Sequence, residues 1–238
     1  MTVTIPGRRI ELVPMDPHCG DISIALYARQ NQGELAAPAD GVELATPADG
    51  VELAAPGDGG ELAVVWTFSR RPGAAERVKA VARSIAVLAG LEPVEGRPAT
   101  LRFGCGDWHE AALRRAFLEA CKLGPDGEPA VRPLEVHDRQ TGQAIRAVHI
   151  GGGTYRVEAS GIEESQTSRA PAVARGLAKL AQLDPGPDDV TVAFPCGARH
   201  DALVGLLLPR ALNVRAVIRE EEMQAARGVL SAPSARQE

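Results

Sequence analysis

One short pattern of residues occurs twice in the chain, and its two copies lie 91 residues apart. In each copy a phenylalanine precedes a Cys-Gly pair, and a histidine lies four positions after the cysteine. Similar apolar runs stand before the two copies, VARSIAVLAGL from Val81 and VARGLAKLAQL from Val173. Two blocks that recur in the same order and at nearly the same spacing predict an internal duplication. The repeated residues are Phe103, Cys105, Gly106 and His109 in the first copy, and Phe194, Cys196, Gly197 and His200 in the second.

Each copy has the same predicted order of elements, a β-hairpin followed by helix, strand, helix and strand. Apolar residues at helical spacing predict the first helix, and Gly-Gly-Gly at 151–153 predicts a turn between strands at 144–150 and 154–160. Because a strand–helix–strand unit usually crosses over between parallel strands, we expect an α/β fold with a mixed sheet, and leave α+β open. The two ββαβαβ halves should form one pseudo-twofold body. The other predicted strands are ATLRF (99–103), PLEVH (133–137), VTVAF (190–194) and VRAVI (214–218).

These elements divide the chain into a first half at 1–142, a second half at 143–228 and a flexible tail at 229–238. The first half contains an acidic low-complexity segment at 33–60, in which nine-residue units such as GVELATPAD and GVELAAPGD follow one another. About three units that each contain Pro and Gly cannot bury a continuous core. The segment is therefore predicted to be a surface loop inserted between two strands.

The charge pattern argues against a nucleic-acid partner. The net charge is −5, but seven acids and no Lys or Arg lie between Arg29 and Arg70, so the rest of the chain would carry +2. Such a balance gives no electrostatic reason to expect nucleic acid. Aromatic residues make up only 3% of the chain, too few for a base-stacking platform.

The sequence also argues against a membrane protein. We find no run of residues long and apolar enough to span a bilayer, and no apolar signal-peptide core after the first arginines. Four cysteines without a secretion signal are typical of reduced thiols, so we expect a cytoplasmic protein. The sequence does not decide whether the chain is an enzyme, and it leaves open a homodimer or another protein partner.

Both Cys-Gly pairs lie where a predicted strand ends and a predicted helix begins. In an open α/β sheet, ligands bind at this place, beyond the carboxyl ends of the strands and beside the helix N-termini. A capping box of Asp107 and Glu110 is predicted to begin the first of these helices. Glycine lets the backbone approach a ligand, and the helix dipole favours an anion. We therefore expect a small carboxylate or phosphate ligand and no cofactor. The predicted pocket is lined by Cys105, Gly106, His109, Cys196, Gly197 and His200.

Three alternatives remain open. One thiol in each half is similar to the arrangement in the aspartate/glutamate racemase and diaminopimelate epimerase families. That resemblance implies catalysis by Cys105 and Cys196, with His109 or His200 raising the thiolate content. It requires sulfurs closer than about 10 Å, since both must reach one carbon. The two Cys-x3-His pairs could instead form a tetrahedral Cys2His2 zinc site. Finally, cysteines at tight turns can be purely structural, as we expect for Cys121 on the apolar run of its helix.

Overall fold

The computed structural model describes residues 8–13, 15–18, 22–29, 61–67, 73–162 and 167–213. These residues contain ten strands and four helices. In chain order they are β1 (Arg8–Val13), β2 (Ser23–Arg29), β3 (Glu61–Thr67), α1 (Ala74–Ala89), β4 (Glu92–Val94), β5 (Arg97–Arg102), α2 (Glu110–Lys122), β6 (Glu135–His137), β7 (Ala144–Gly151), β8 (Thr154–Ser160), α3 (Ala170–Ala181), β9 (Asp184–Pro185), β10 (Thr191–Ala193) and α4 (Asp201–Ala211). The strands form two five-stranded sheets, β1-β2-β3-β5-β4 and β6-β7-β8-β10-β9. The architecture is α+β.

The local signals in the sequence locate several of these elements. The apolar stripe of α1 is buried, and the helix ends at Gly90, whose φ of 66° is a conformation that glycine adopts without steric cost. In α3 a proline occupies the first turn, where its missing N–H leaves no hydrogen bond unmade. Strands β7 and β8 pair antiparallel around the glycine run, which confirms the predicted hairpin.

The prediction of a mixed sheet with parallel strands is wrong, because every strand pair in the two sheets is antiparallel. The reason lies between α1 and β5. The chain first forms β4, turns at Gly96 with φ of 71°, and pairs β4 with β5. This extra reversal makes β5 antiparallel to β3. The two-residue strand β9 does the same before β10 in the second sheet.

One predicted strand belongs to the other sheet. Residues 133–137 were expected to close the first half, but β6 pairs with β7 in the second sheet. The counterpart at 214–218 lies outside the described residues, as do the acidic segment 33–60 and the tail 229–238. With β6 in the second sheet, each sheet and its helices have the element order βββαββα.

The helices carry the contact between the two sheets. Helices α1 and α2 pack together on the first sheet, and α3 and α4 pack together on the second. In addition α1 packs against α4 and α2 against α3, so that one apolar cluster contains residues of both sheets and all four helices. Among the described helices, none is long and apolar enough to cross a membrane. This packing brings the N-termini of α2 and α4 close enough for their side chains to meet.

Candidate metal centre

Each repeated cysteine lies in a tight turn that follows a strand. After β5, the backbone N–H of Gly106 donates to the carbonyl of Phe103 at 3.1 Å. After β10, the N–H of Gly197 donates to the carbonyl of Phe194 at 3.0 Å. The two glycines have φ of 76° and 71°, values that residues with a side chain rarely adopt. The Cys-Gly pair is therefore a turn in both places, as predicted.

The turns do not open the helices directly, and the predicted capping box is wrong. Helices α2 and α4 begin at Glu110 and Asp201, five residues after the cysteines, and His109 and His200 are their N-cap residues. No side chain caps α2; the Asp107 carboxylate instead accepts the N–H of Trp108 at 2.7 Å. Each Cys-x3-His pair thus joins a turn to a helix start rather than lying along one face of a helix.

The side chains of the two predicted cysteines and two predicted histidines converge in one small cluster. One ligand atom from each lies within 4.8 Å of all the others. The Sγ of Cys105 lies 3.3 Å from Nε2 of His109, and the Sγ of Cys196 lies 3.2 Å from Nε2 of His200. A third contact of 3.4 Å, between Sγ of Cys196 and Nε2 of His109, links the two copies. The separation of the sulfurs is therefore far below the 10 Å limit set for the two-thiol hypothesis.

Burial sets the protonation of both histidines and of Cys105. It lowers the pKa of His200 to about 4, an effect that the adjacent His109 reinforces. Burial also lowers the pKa of His109, although Asp107 partly opposes the shift. Both rings are consequently neutral at pH 7, the form that binds metals. Burial raises the pKa of the Cys105 thiol to about 11, so without a positive ion nearby this thiol keeps its proton at pH 7.

Comparison with known proteins gives no relative. No family model, no curated protein and no solved structure matches the chain. The chemistry of the cluster therefore has to follow from its own side chains. Two thiols and two neutral imidazoles are a ligand set that zinc binds in tetrahedral geometry.

An apolar shell surrounds the two histidines. The ring of Phe103 meets that of His109 edge to face at 5.0 Å, and the ring of Phe194 lies 4.6 Å from that of His200. The two imidazoles are themselves 4.4 Å apart between ring centres. The phenylalanines belong to the repeated pattern, but sequence reasoning gave them no role at the site. Their burial keeps water away from the imidazoles and holds both rings in place.

The arginines beside the turns do not add charge to the cluster. Arg102 pairs with Glu92 at 3.6 Å on the surface, and Arg199 pairs with Asp201 through two hydrogen bonds. The N–H groups of Gly106 and Gly197 are also already used within their own turns. Both arginines and both glycine N–H groups therefore already have partners within the chain. Sequence reasoning also missed Tyr155, which contacts the backbone of His200.

Proposed function

We propose that the protein binds one zinc ion through Cys105, His109, Cys196 and His200, and that the ion stabilises the contact between the two halves. The observation that carries this proposal is the convergence of four metal-binding atoms within 4.8 Å. In a tetrahedral site with Zn–S near 2.3 Å and Zn–N near 2.0–2.1 Å, adjacent ligand atoms lie roughly 3.3–3.8 Å apart. The three contacts of 3.2–3.4 Å fit this spacing with only small adjustment.

Hydrogen bonding alone satisfies this cluster poorly. The Nε2 atom of His109 is 3.3 Å from one sulfur and 3.4 Å from the other. A ring nitrogen has either one hydrogen or one lone pair in its plane, so it serves a single partner well. A cation at the centre of the cluster would instead accept a lone pair from each of the four atoms.

The turn around Cys196 also holds its sulfur in place. The backbone N–H of Ala198 donates to the Sγ of Cys196 at 3.4 Å. A bound zinc ion would deprotonate a coordinating thiol outright.

The alternatives have less support from the geometry. Two thiols that act on opposite faces of one carbon need sulfurs roughly 6–7 Å apart, since each approaches to about 3–3.5 Å. The sulfurs here lie within 4.8 Å of each other, which leaves no room for a carbon between them. A small anionic ligand stays a prediction, but the N–H groups of Gly106 and Gly197 already donate within the turns.

Four protein ligands close the zinc coordination shell, so the proposed role of the ion is structural rather than catalytic. Each half supplies one Cys and one His, and the pairs are 91 residues apart. This spacing, the common element order and the matching strand order support an internal duplication with pseudo-twofold symmetry. Joining equivalent turns from both copies, the ion would add to the helix contacts between the sheets. A reducing compartment such as the cytoplasm would keep the cysteines available as ligands.

The test is the zinc content of the full chain, purified under reducing conditions, dialysed and measured by elemental mass spectrometry. We expect about one zinc per chain, the stoichiometry of a single four-ligand site. The double variant Cys105→Ser, Cys196→Ser should lose the metal, whereas the control Cys121→Ala, altered in the core of α2, should retain it. Wild-type protein that takes up no zinc, or a double variant that still holds it, would overturn the proposal.

A further inference from the structure

A buried tyrosine lies directly behind one of the two histidine ligands. Tyr155 on β8 is fully buried, and it is one of only two tyrosines in the chain. Its hydroxyl accepts the backbone N–H of His200 at 2.7 Å and donates to Oδ1 of Asp201 at 2.8 Å. The other oxygen of Asp201 accepts from Arg199. A continuous set of hydrogen bonds therefore holds the residue at which α4 begins.

The first half of the molecule has no such hydroxyl at the corresponding position. In the second sheet Tyr155 pairs with Val192 of β10, and in the first sheet Leu62 pairs with Leu101 of β5. Leucine has no polar atom to offer the backbone of a histidine. The two N-cap residues also differ in conformation, since His109 has φ of 40° and His200 has φ of −135°. The two histidines thus reach the same cluster from different backbone conformations.

The backbone conformation of an N-cap residue determines the position and direction from which its side chain leaves the chain. Metal sites require ligand atoms to be held within about half an ångström of the productive geometry. We infer that Tyr155 is a positioning residue of the metal centre, which fixes the backbone of His200 and so directs its imidazole toward the ion. This inference rests on the proposed zinc site. The contacts of the hydroxyl with His200 and Asp201, together with the leucine in its place in the first half, carry it.

The experiment compares wild type, Tyr155→Phe and the matched control Tyr27→Phe as full chains. Tyr27 is a buried tyrosine on β2 of the first sheet, so its variant loses the same atom far along the chain from His200. Zinc affinity is measured by competition with a chromophoric chelator, and the melting temperature of each metal-free chain is recorded in parallel. The visible spectrum of the Co²⁺-loaded chains reports on the geometry of the ligands.

We expect Tyr155→Phe to weaken zinc binding by about 10-fold, within the range typical of groups that orient a metal ligand. Its Co²⁺ spectrum should change, whereas Tyr27→Phe should match wild type in both. A Tyr155→Phe chain that melts earlier but binds zinc as tightly as wild type would overturn this inference and leave the zinc site intact. A wild-type chain that binds no zinc overturns both.

A second variant covers the case in which Tyr155→Phe does not fold. Asp201→Ala keeps the tyrosine but removes the acceptor that orients its hydroxyl. We expect a smaller loss of zinc affinity in the same direction. Unchanged affinity and an unchanged Co²⁺ spectrum in this variant would overturn the positioning role.

Discussion

Histidine residues in this chain occupy very different environments, and only two of them belong to the cluster. His109 and His200 are buried, each at a helix start. His137 lies on the short strand β6 with its side chain 74% exposed. This contrast allows the contribution of one ligand to be measured against a histidine that has no role in the site.

At the residue scale, we predict that His200→Ala weakens zinc binding by more than about 100-fold, beyond the range typical of groups outside the coordination shell. The reason is that a closed site loses one of its four ligands. Chelator competition measures the effect, with His137→Ala as the control of unchanged affinity. Equal affinities for both variants would exclude His200 as a ligand.

A second prediction concerns Asp138, in the turn between β6 and β7. The pKa of this carboxyl is held below its usual value, first by a hydrogen bond from the backbone N–H of Gln140, then by the Thr141 hydroxyl and the Arg169 guanidinium. Because the folded pKa is below the unfolded pKa, the stabilisation is complete above about pH 5 and is lost as the pH falls through the folded pKa.

The variant Asp138→Asn should therefore be less stable than wild type by about 1–2 kcal/mol at pH 7, since hydrogen bonds to a charged group are lost. The difference should shrink steadily toward pH 2. Urea unfolding at several pH values measures it. A stability difference that does not change with pH would show that the charge of Asp138 contributes nothing.

The candidate site was predictable to the extent that it is repeated. The cysteines and histidines recur at constant spacing, and that alone singled out all four. Tyr155 was not predictable, because the position that matches it in the first sheet is Leu62. The choice between an anion and a metal as the ligand also required the three-dimensional structure. It depends on whether the sulfurs and ring nitrogens converge, and on which backbone donors the turns already use.

At the element scale, α4 lies against the segment that leads into β6. A Cβ atom added to Gly205 would lie 2.3 Å from the carbonyl oxygen of Arg132. Replacing glycine by alanine at a solvent-exposed position inside a helix stabilises the helix by about 1 kcal/mol. Here the steric conflict with backbone outweighs that gain, since overpacking costs about 1–3 kcal/mol.

Gly205→Ala should therefore lower the free energy of unfolding by up to about 2 kcal/mol, the overpacking cost less the helix gain, as measured by urea denaturation. The matched control is Gly124→Ala, whose added Cβ would meet the His18 ring at an ordinary distance of 3.8 Å. This control should change stability by less than about 0.5 kcal/mol. A Gly205→Ala chain more stable than wild type would contradict the close packing of α4.

The helices were predictable from sequence, whereas the sheet topology was not. The apolar stripe of α1 spans four turns, and a periodic signal of that length is specific. The topology depends instead on β4 and β9, which have three and two residues. Such short strands carry no periodic pattern, yet each reverses the chain once and makes the neighbouring pairs antiparallel. The assignment of β6 to the second sheet likewise depends on long-range pairing.

At the scale of the whole molecule, two contributions join the halves. One is the apolar cluster shared by all four helices, and the other is the proposed zinc ion. The shared core is large enough that we expect the metal-free chain to fold. Zinc should then act as a ligand that binds only the folded state.

Removing zinc with a chelator should lower the melting temperature by about 5–10 °C. Free zinc at about 100 times the dissociation constant stabilises by about 2.7 kcal/mol, and each kcal/mol shifts the melting temperature of a chain of this size by about 2–4 °C. Differential scanning calorimetry measures the shift, and the Cys105→Ser, Cys196→Ser chain should show none. An equal response of both chains to the chelator would mean that zinc acts elsewhere.

The most direct test of the metal centre is X-ray absorption at the zinc edge of the zinc-loaded full chain, because it counts the ligand atoms around the ion. We predict two sulfur atoms at about 2.3 Å and two imidazole nitrogens at about 2.0–2.1 Å. A coordination shell of only nitrogen and oxygen, or one with three or more sulfurs, would contradict the site formed by Cys105, His109, Cys196 and His200.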